Sequence, residues 1–177
     1  MDSDQELIES ANRGSPDAFE ALYYRYRDWV YRLAWRFTGN QQDALDVLQE
    51  TFTYLLGKFP GFELTASMTT FLYPVVKHLS IAVHNKNRRF TSDEDVISEL
   101  AAPASKETER SRSELAAALT VLPEEQREVL LMRFIDNMSL QEVATALNIP
   151  LGTVKSRLHH ALKTLRKDRR TRDYFLE

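Results

Sequence analysis

The chain has 177 residues, 43% of them hydrophobic, with five Gly and six Pro, which suits one helical domain or two small ones better than a sheet-rich fold. Cys is absent, which excludes disulfides, thiolate nucleophiles and Cys-based zinc sites, and no apolar run has membrane-spanning length, so a soluble, cytoplasmic chain is expected. The net charge of −3 hides an uneven distribution, with 4 basic against 1 acidic residue over 61–90 and 8 against 3 over 149–177, set among 6 against 10 over 1–60 and 5 against 12 over 91–148. Two basic islands in an acidic chain suit a protein that touches nucleic acid at two places and offers acidic surface to a protein partner.

In chain order, Leu7, Ile8 and Ala11 give a first helical period, and a longer one runs from Phe19 to Phe37 until Gly39-Asn40 breaks it. A second long helix is expected from about Gln42 to Lys58, with Ala44, Val47, Leu48, Phe52, Leu55, Leu56 and Phe59 on one side and Pro60-Gly61 at its end. A third begins near Thr69 or Thr70, carries Phe71, Leu72, Val75, Val76, Leu79 and Val83 inward, and places Pro74 in or just after its first turn. From Phe90 to Ser113 no apolar face is sustained, which reads as a linker with a brief helical turn at Val96–Leu100. Helix returns at Ser113–Leu122, and Pro123-Glu124-Glu125 opens another, with acids at its positive end. The expected fold is all-α, two small helical domains (1–90 and 113–177) joined by a flexible linker (91–112).

Near the C-terminus Ser139-Leu140-Gln141-Glu142 spells a capping box, after which Leu140, Val143, Ala144 and Leu147 make one apolar face. Asn148 suits a left-handed stop and Pro150 ends the helix, with Thr153 as the cap of the next. On that next helix Val154, Leu158, Ala161, Leu162 and Leu165 face inward, while Lys155, Ser156, Arg157, His159, His160, Lys163 and Arg166 lie opposite. Two short helices with a basic, hydrogen-bonding second member fit a helix-turn-helix whose recognition helix enters the major groove. The periodicity by itself also fits a plain helical hairpin with a solvated basic face.

The words are more specific. Leu122-Pro123-Glu124-Glu125-Gln126-Arg127-Glu128-Val129, then Ser139-Leu140-Gln141-Glu142-Val143-Ala144 and Gly152-Thr153-Val154-Lys155-Ser156-Arg157-Leu158, resemble region 4 of bacterial sigma factors of the extracytoplasmic-function group. Asp43-Ala44-Leu45-Asp46-Val47-Leu48-Gln49-Glu50-Thr51-Phe52 resembles the part of sigma region 2 that grips the beta-prime clamp helices of RNA polymerase. Phe19–Tyr23 before it and Thr70–Tyr73 after it fall in the family's order. The resemblance covers about residues 5–90 and 113–168.

What the resemblance implies is a promoter-specificity subunit, with core RNA polymerase and promoter DNA as partners and no membrane. Thr153, Lys155, Ser156, Arg157, His159, His160 and Lys163 would contact the minus-thirty-five element. Lys77, His78, His84, Asn85, Lys86, Asn87, Arg88 and Arg89, with the loop Glu63–Thr69, would serve the minus-ten element and hold unstacked bases. Asp43, Asp46, Gln49 and Glu50 would dock on the polymerase, the first two and Glu50 lying on one strip by helical spacing. The C-terminal domain would meet the beta flap and the linker would thread the polymerase cleft.

Departures from the family pattern stand at Leu45 (usually Glu), Thr51 (usually small and apolar), Phe71 (usually Trp), Pro74 (usually basic) and Ala82-Val83 (usually Asp-His). A phosphate on Thr51 or Thr53 would add about −1.5 to −2 charges beside Glu50. Thr51 therefore reads either as a switch for a Ser/Thr kinase or as a helix residue at the edge of the core, and an anti-sigma protein is the other candidate regulator. No catalysis, metal or cofactor is expected: the four His residues, at 78, 84, 159 and 160, have no metal-ligand spacing with nearby carboxylates. The alternating strands and helices of a response-regulator receiver domain are absent from the pattern.

Overall fold

The N-terminal helix α1 (Asp4–Asn12) starts at a reciprocal cap: the Ser3 hydroxyl accepts from the Glu6 amide at 3.3 Å, and the Glu6 carboxylate accepts from the Ser3 amide at 2.6 Å. Those bonds favour the ionised form and hold the Glu6 carboxyl below its ordinary range. Structure is described over residues 2–88, 116–168 and 171 of a computed structural model. All elements among the described residues are helices and turns, and the chain divides into two compact units, Met1–Glu99 and Leu100–Glu177. No described helix is long and apolar enough to cross a membrane.

In the first unit, Asp4 receives the Arg25 guanidinium at 2.5 Å and the Tyr26 hydroxyl, tying α1 to α2 (Pro16–Thr38). Burial, with Asp4 beside it, pushes the Tyr26 hydroxyl's pKa well above the ordinary phenol value. Ser15 caps α2 and Pro16 occupies its first position, where a missing N–H is harmless. Gly39, at φ +73°, stops α2 in the left-handed conformation that glycine adopts without strain. Asn40 at once caps α3 (Gln41–Leu56), accepting from the Asp43 amide at 2.8 Å. The long helix α2 packs against α1, α3 and α4 (Met68–Arg88), and the core closes on Leu22, Val30, Leu33, Ala34, Ala44, Val47, Leu55, Met68, Leu72 and Val76.

Two details differ from the sequence reading. Helix α4 starts at Met68, where the Ser67 hydroxyl accepts from the Thr70 amide at 3.3 Å, so Pro74 lies inside the helix and the Thr70 carbonyl lacks its usual donor. Pro74 is exposed, where water can satisfy that carbonyl. Leu56, expected on the inward face, is 54% exposed at the end of α3, next to buried Leu55.

In the second unit, helical turns at 116–119 lead to buried Leu122, and Pro123 precedes α5 (Glu124–Phe134). Ser139 and Glu142 form the capping box of α6 (Leu140–Leu147), with amide bonds of 2.7 and 3.2 Å. Asn148 takes the left-handed conformation at φ +53°. Helix α7 (Leu151–Lys167) opens directly after Pro150, so Thr153 sits in its first turn and is not its cap. Ala118, Leu122, Leu130, Ala161 and Leu165 form the core, flanked by Leu119, Leu158 and Leu162. The expected linker 91–112, its turn at Val96–Leu100, and Arg89 lie outside the described residues.

Candidate nucleic-acid interface and docking face

Helix α3 turns one side to α2 and α4 and the other outward. Asp46, Gln49 and Glu50 are exposed on the outer side, while Asp43 is half-buried at the helix start, its carboxylate accepting from the Asn40 amide group at 2.6 Å. Asp46 accepts from Gln42 at 3.1 Å. The strip therefore presents negative charge along two turns, with its first member partly engaged by the cap.

Beside it runs an apolar groove of about 470 Å³ between α2 and α3, lined by Phe19, Tyr23, Leu45, Leu48, Gln49, Phe52, Thr53 and Leu56. Leu45 is 42% exposed. Sequence reasoning missed this groove because it placed Leu48, Phe52 and Leu56 on the inward face and read Leu45 only as a missing charge in the docking strip. The available signal was register: Leu45 stands one step off the buried Ala44 and two short of Val47. Thr51, read either as a phosphate acceptor or as a helix residue at the edge of the core, is fully buried and donates its hydroxyl to the Val47 carbonyl at 2.7 Å. Thr53, two residues on, is exposed.

The connection 57–67 between α3 and α4 is supported by a chain of aromatic rings. Phe19 meets Phe59 at 5.9 Å between centroids, Phe59 meets Phe62 at 5.4 Å, and Phe62 meets Phe71 at 4.8 Å. Phe62 is buried, whereas Glu63, Thr65 and Ala66 are exposed. On α4, His78 and Asn85 are exposed and Lys77 is half-buried; His84, Lys86 and Arg88 fall in its last two turns.

On α7, Lys155, Ser156, His159, His160 and Lys163 are exposed and Thr153 is half-exposed, opposite buried Val154, Ala161 and Leu165. Steps of four join Lys155 to His159 and Ser156 to His160, so these side chains form two adjacent rows near the helix start. The two imidazoles stand edge to face at 5.6 Å. Arg157 is placed differently: its guanidinium pairs with Glu125 of α5 at 2.6 Å, with 24% of its side chain exposed. Among the described residues no cluster of three His, Asp or Glu side chains could hold a metal ion. The surfaces offer hydrogen-bond donors, cations, carboxylates and apolar area, which equip the chain to bind nucleic acid and protein.

Comparison with known proteins fits these surfaces. Residues 22–90 match the family Sigma-70 region 2, and residues 112–165 match Sigma-70, region 4. The ECF RNA polymerase sigma factor SigW of Bacillus subtilis is 30% identical over 178 residues, 92% of this chain and 95% of its own. The RNA polymerase sigma-H factor of Pseudomonas aeruginosa is 29% identical, covering 94% of each. By fold the chain is similar to CnrH, solved in complex with the cytosolic domain of CnrY, at a TM-score of 0.69 and 21% identity over 92% of this chain and 94% of that one. It is also similar to the sigma factor RpoE from Bartonella quintana, solved with the anti-sigma factor NepR, at 0.65 and 22% over 84% and 94%. With region 2 and region 4 in order along it, and near-full-length likeness to SigW, the chain belongs to the extracytoplasmic-function group of RNA polymerase sigma factors, which direct promoter-specific transcription initiation.

Proposed function

We propose that residues 1–90 dock on core RNA polymerase and serve the minus-ten element, that 91–112 is the linker, and that 113–177 reads the minus-thirty-five element. The observation that carries this is the exposed face of Lys155, Ser156, His159, His160 and Lys163 on the second helix of a helix-turn-helix. Ser and His there donate to or accept from base edges, and the lysines neutralise phosphates. Asp46, Gln49 and Glu50, with Asp43 at the helix start, offer the beta-prime clamp helices a negative strip, and Leu45 adds apolar area where the family carries charge. Lys77, His78, His84, Asn85, Lys86, Arg88 and Arg89 would serve the minus-ten element together with the 57–67 loop. The C-terminal unit meets the beta flap. The chain works in the cytoplasm, and its binding energy stabilises opened DNA while the polymerase does the chemistry.

For regulation, the burial of Thr51 favours an anti-sigma protein over a kinase acting at that residue. The Bartonella quintana relative by fold was solved with such a partner. The apolar α2–α3 groove suits one here.

Run-off transcription with purified core polymerase tests the assignment. The unmodified chain is expected to initiate from promoters it selects out of a randomised library, and Lys155→Ala with Lys163→Ala to lower the slope of log affinity against log salt by about 2. Asp46→Lys with Glu50→Lys is expected to weaken core binding at least tenfold. Unchanged core binding in that variant sinks the docking assignment.

A further inference from the structure

We infer that Asn12, at the end of α1, is a positioning residue for minus-ten selectivity, because its side chain sets the shape of the 57–67 loop. This rests on the proposed reading of that loop. One carboxamide makes three bonds across the unit. Its oxygen accepts from the Gly61 amide at 2.7 Å and from the Phe62 amide at 3.0 Å, and its nitrogen donates to the Phe62 carbonyl at 2.9 Å. Both lone pairs of the oxygen and one of the two N–H groups are thereby used, all on two consecutive loop residues.

The anchor is itself fixed. Just past Asn12 the α1 end is closed by the Gly14 amide donating to the Ala11 carbonyl at 2.9 Å and the Ser15 amide donating to the Ser10 carbonyl at 3.1 Å. Gly61 bends at φ +101°, where any side chain is strained even though the surrounding space is open. Phe62 then inserts between Phe59 and Phe71. At the other end the Ser67 hydroxyl bonds the Thr70 hydroxyl at 2.8 Å and the Thr69 hydroxyl at 3.0 Å.

Between these two pins only Glu63, Leu64, Thr65 and Ala66 span the gap. A short span held at both ends has few conformers to lose, so an unstacked base meets a surface already formed. Release of the Asn12 end lets Gly61 swing and spreads the tip over many shapes. Discrimination among bases then falls, while the α3 docking strip and the C-terminal unit keep their own supports.

The test uses the full chain with core polymerase and a promoter selected from a randomised minus-ten library. The readout is the ratio of run-off transcript from the selected promoter to that from versions with single minus-ten substitutions. Asn12→Ala is expected to lower this ratio about tenfold, since three hydrogen bonds are lost together. Asn12→Asp keeps both acceptances and loses the donation, and an intermediate loss is expected. Core binding and the corresponding minus-thirty-five ratio should not change in Asn12→Asp, which separates positioning from general loss of fold.

In the unmodified chain, the Gly61 and Phe62 amides should exchange with solvent much more slowly than those of Thr65 and Ala66. Exchange at the unstructured rate for Gly61 and Phe62 overturns the inference without any variant. So does an unchanged minus-ten ratio in Asn12→Ala. Glu63→Ala and Thr65→Ala keep the two claims apart. If these leave the ratio unchanged, the minus-ten reading of the loop falls and the inference with it; if they change it and Asn12→Ala does not, only the role of Asn12 falls.

Discussion

The helix-turn-helix and the 57–67 loop are both candidate DNA-facing elements, yet they are held in place by opposite means. The ends of helices α6 and α7 are set by neighbours in sequence: Ser139 with Glu142 three residues on, left-handed Asn148, and Pro150 before the next helix. The loop is set by a side chain 49 and 50 residues away and by a buried ring. Local supports act on one helix end at a time, whereas the loop's supports tie three elements together. Damage should therefore stay local in the C-terminal unit and spread in the N-terminal one.

The strongest way to break that contrast is Phe62→Ala. Phe62 is 7% exposed and touches two other rings, so truncation should cost about 3–4 kcal/mol. Hydrogen exchange on the full chain should show lowered protection throughout α2, α3 and α4, with α5–α7 unchanged. A loss confined to the loop would mean that the ring is a passenger on the domain.

The same contrast explains what the sequence made legible. The all-α fold, the turn at Gly39-Asn40, the box at Ser139 and the stop at Asn148 were readable because each depends on residues within a few positions of one another. Helical spacing likewise placed Val154, Ala161 and Leu165 inside and Lys155, Ser156, His159, His160 and Lys163 outside. Asn12 was not readable, since no local pattern marks an Asn whose partners lie beyond two more helices. Thr51 was left between two readings for a related reason: a β-branched residue whose hydroxyl satisfies the carbonyl four residues back can be buried mid-helix, and spacing alone does not decide this. Arg157 was grouped with its exposed neighbours because the spacing cannot see a carboxylate on α5.

A smaller effect sharpens the local side of the comparison. Ser139→Ala removes the acceptor for the Glu142 amide and should cost about 1 kcal/mol. The first amides of α6 should lose protection, and minus-thirty-five binding should weaken by less than about tenfold, as that energy allows. Core polymerase binding should stay as it was. An effect on the unit as large as that of Phe62→Ala would show that α6 carries long-range strain, and the contrast would dissolve.

The smallest effect concerns a long-range ion pair at the recognition helix. Glu125 is largely exposed, with 68% of its side chain accessible, so its pair with Arg157 should add only about 0.2–1 kcal/mol to stability. Its consequence for DNA is better resolved. While paired, Arg157 is unavailable to phosphate; freed, it can add a contact on a helix that already carries Lys155 and Lys163. Glu125→Gln should then steepen the slope of log affinity against log salt by about 0.9 and tighten minus-thirty-five binding severalfold at low salt. The neighbouring Glu124→Gln removes the same charge without touching the pair, and should tighten binding less and leave the slope nearly unchanged. Equal slopes in the two variants would mean that Arg157 stays against α5 when DNA binds, giving the recognition helix a long-range support and making it more like the loop.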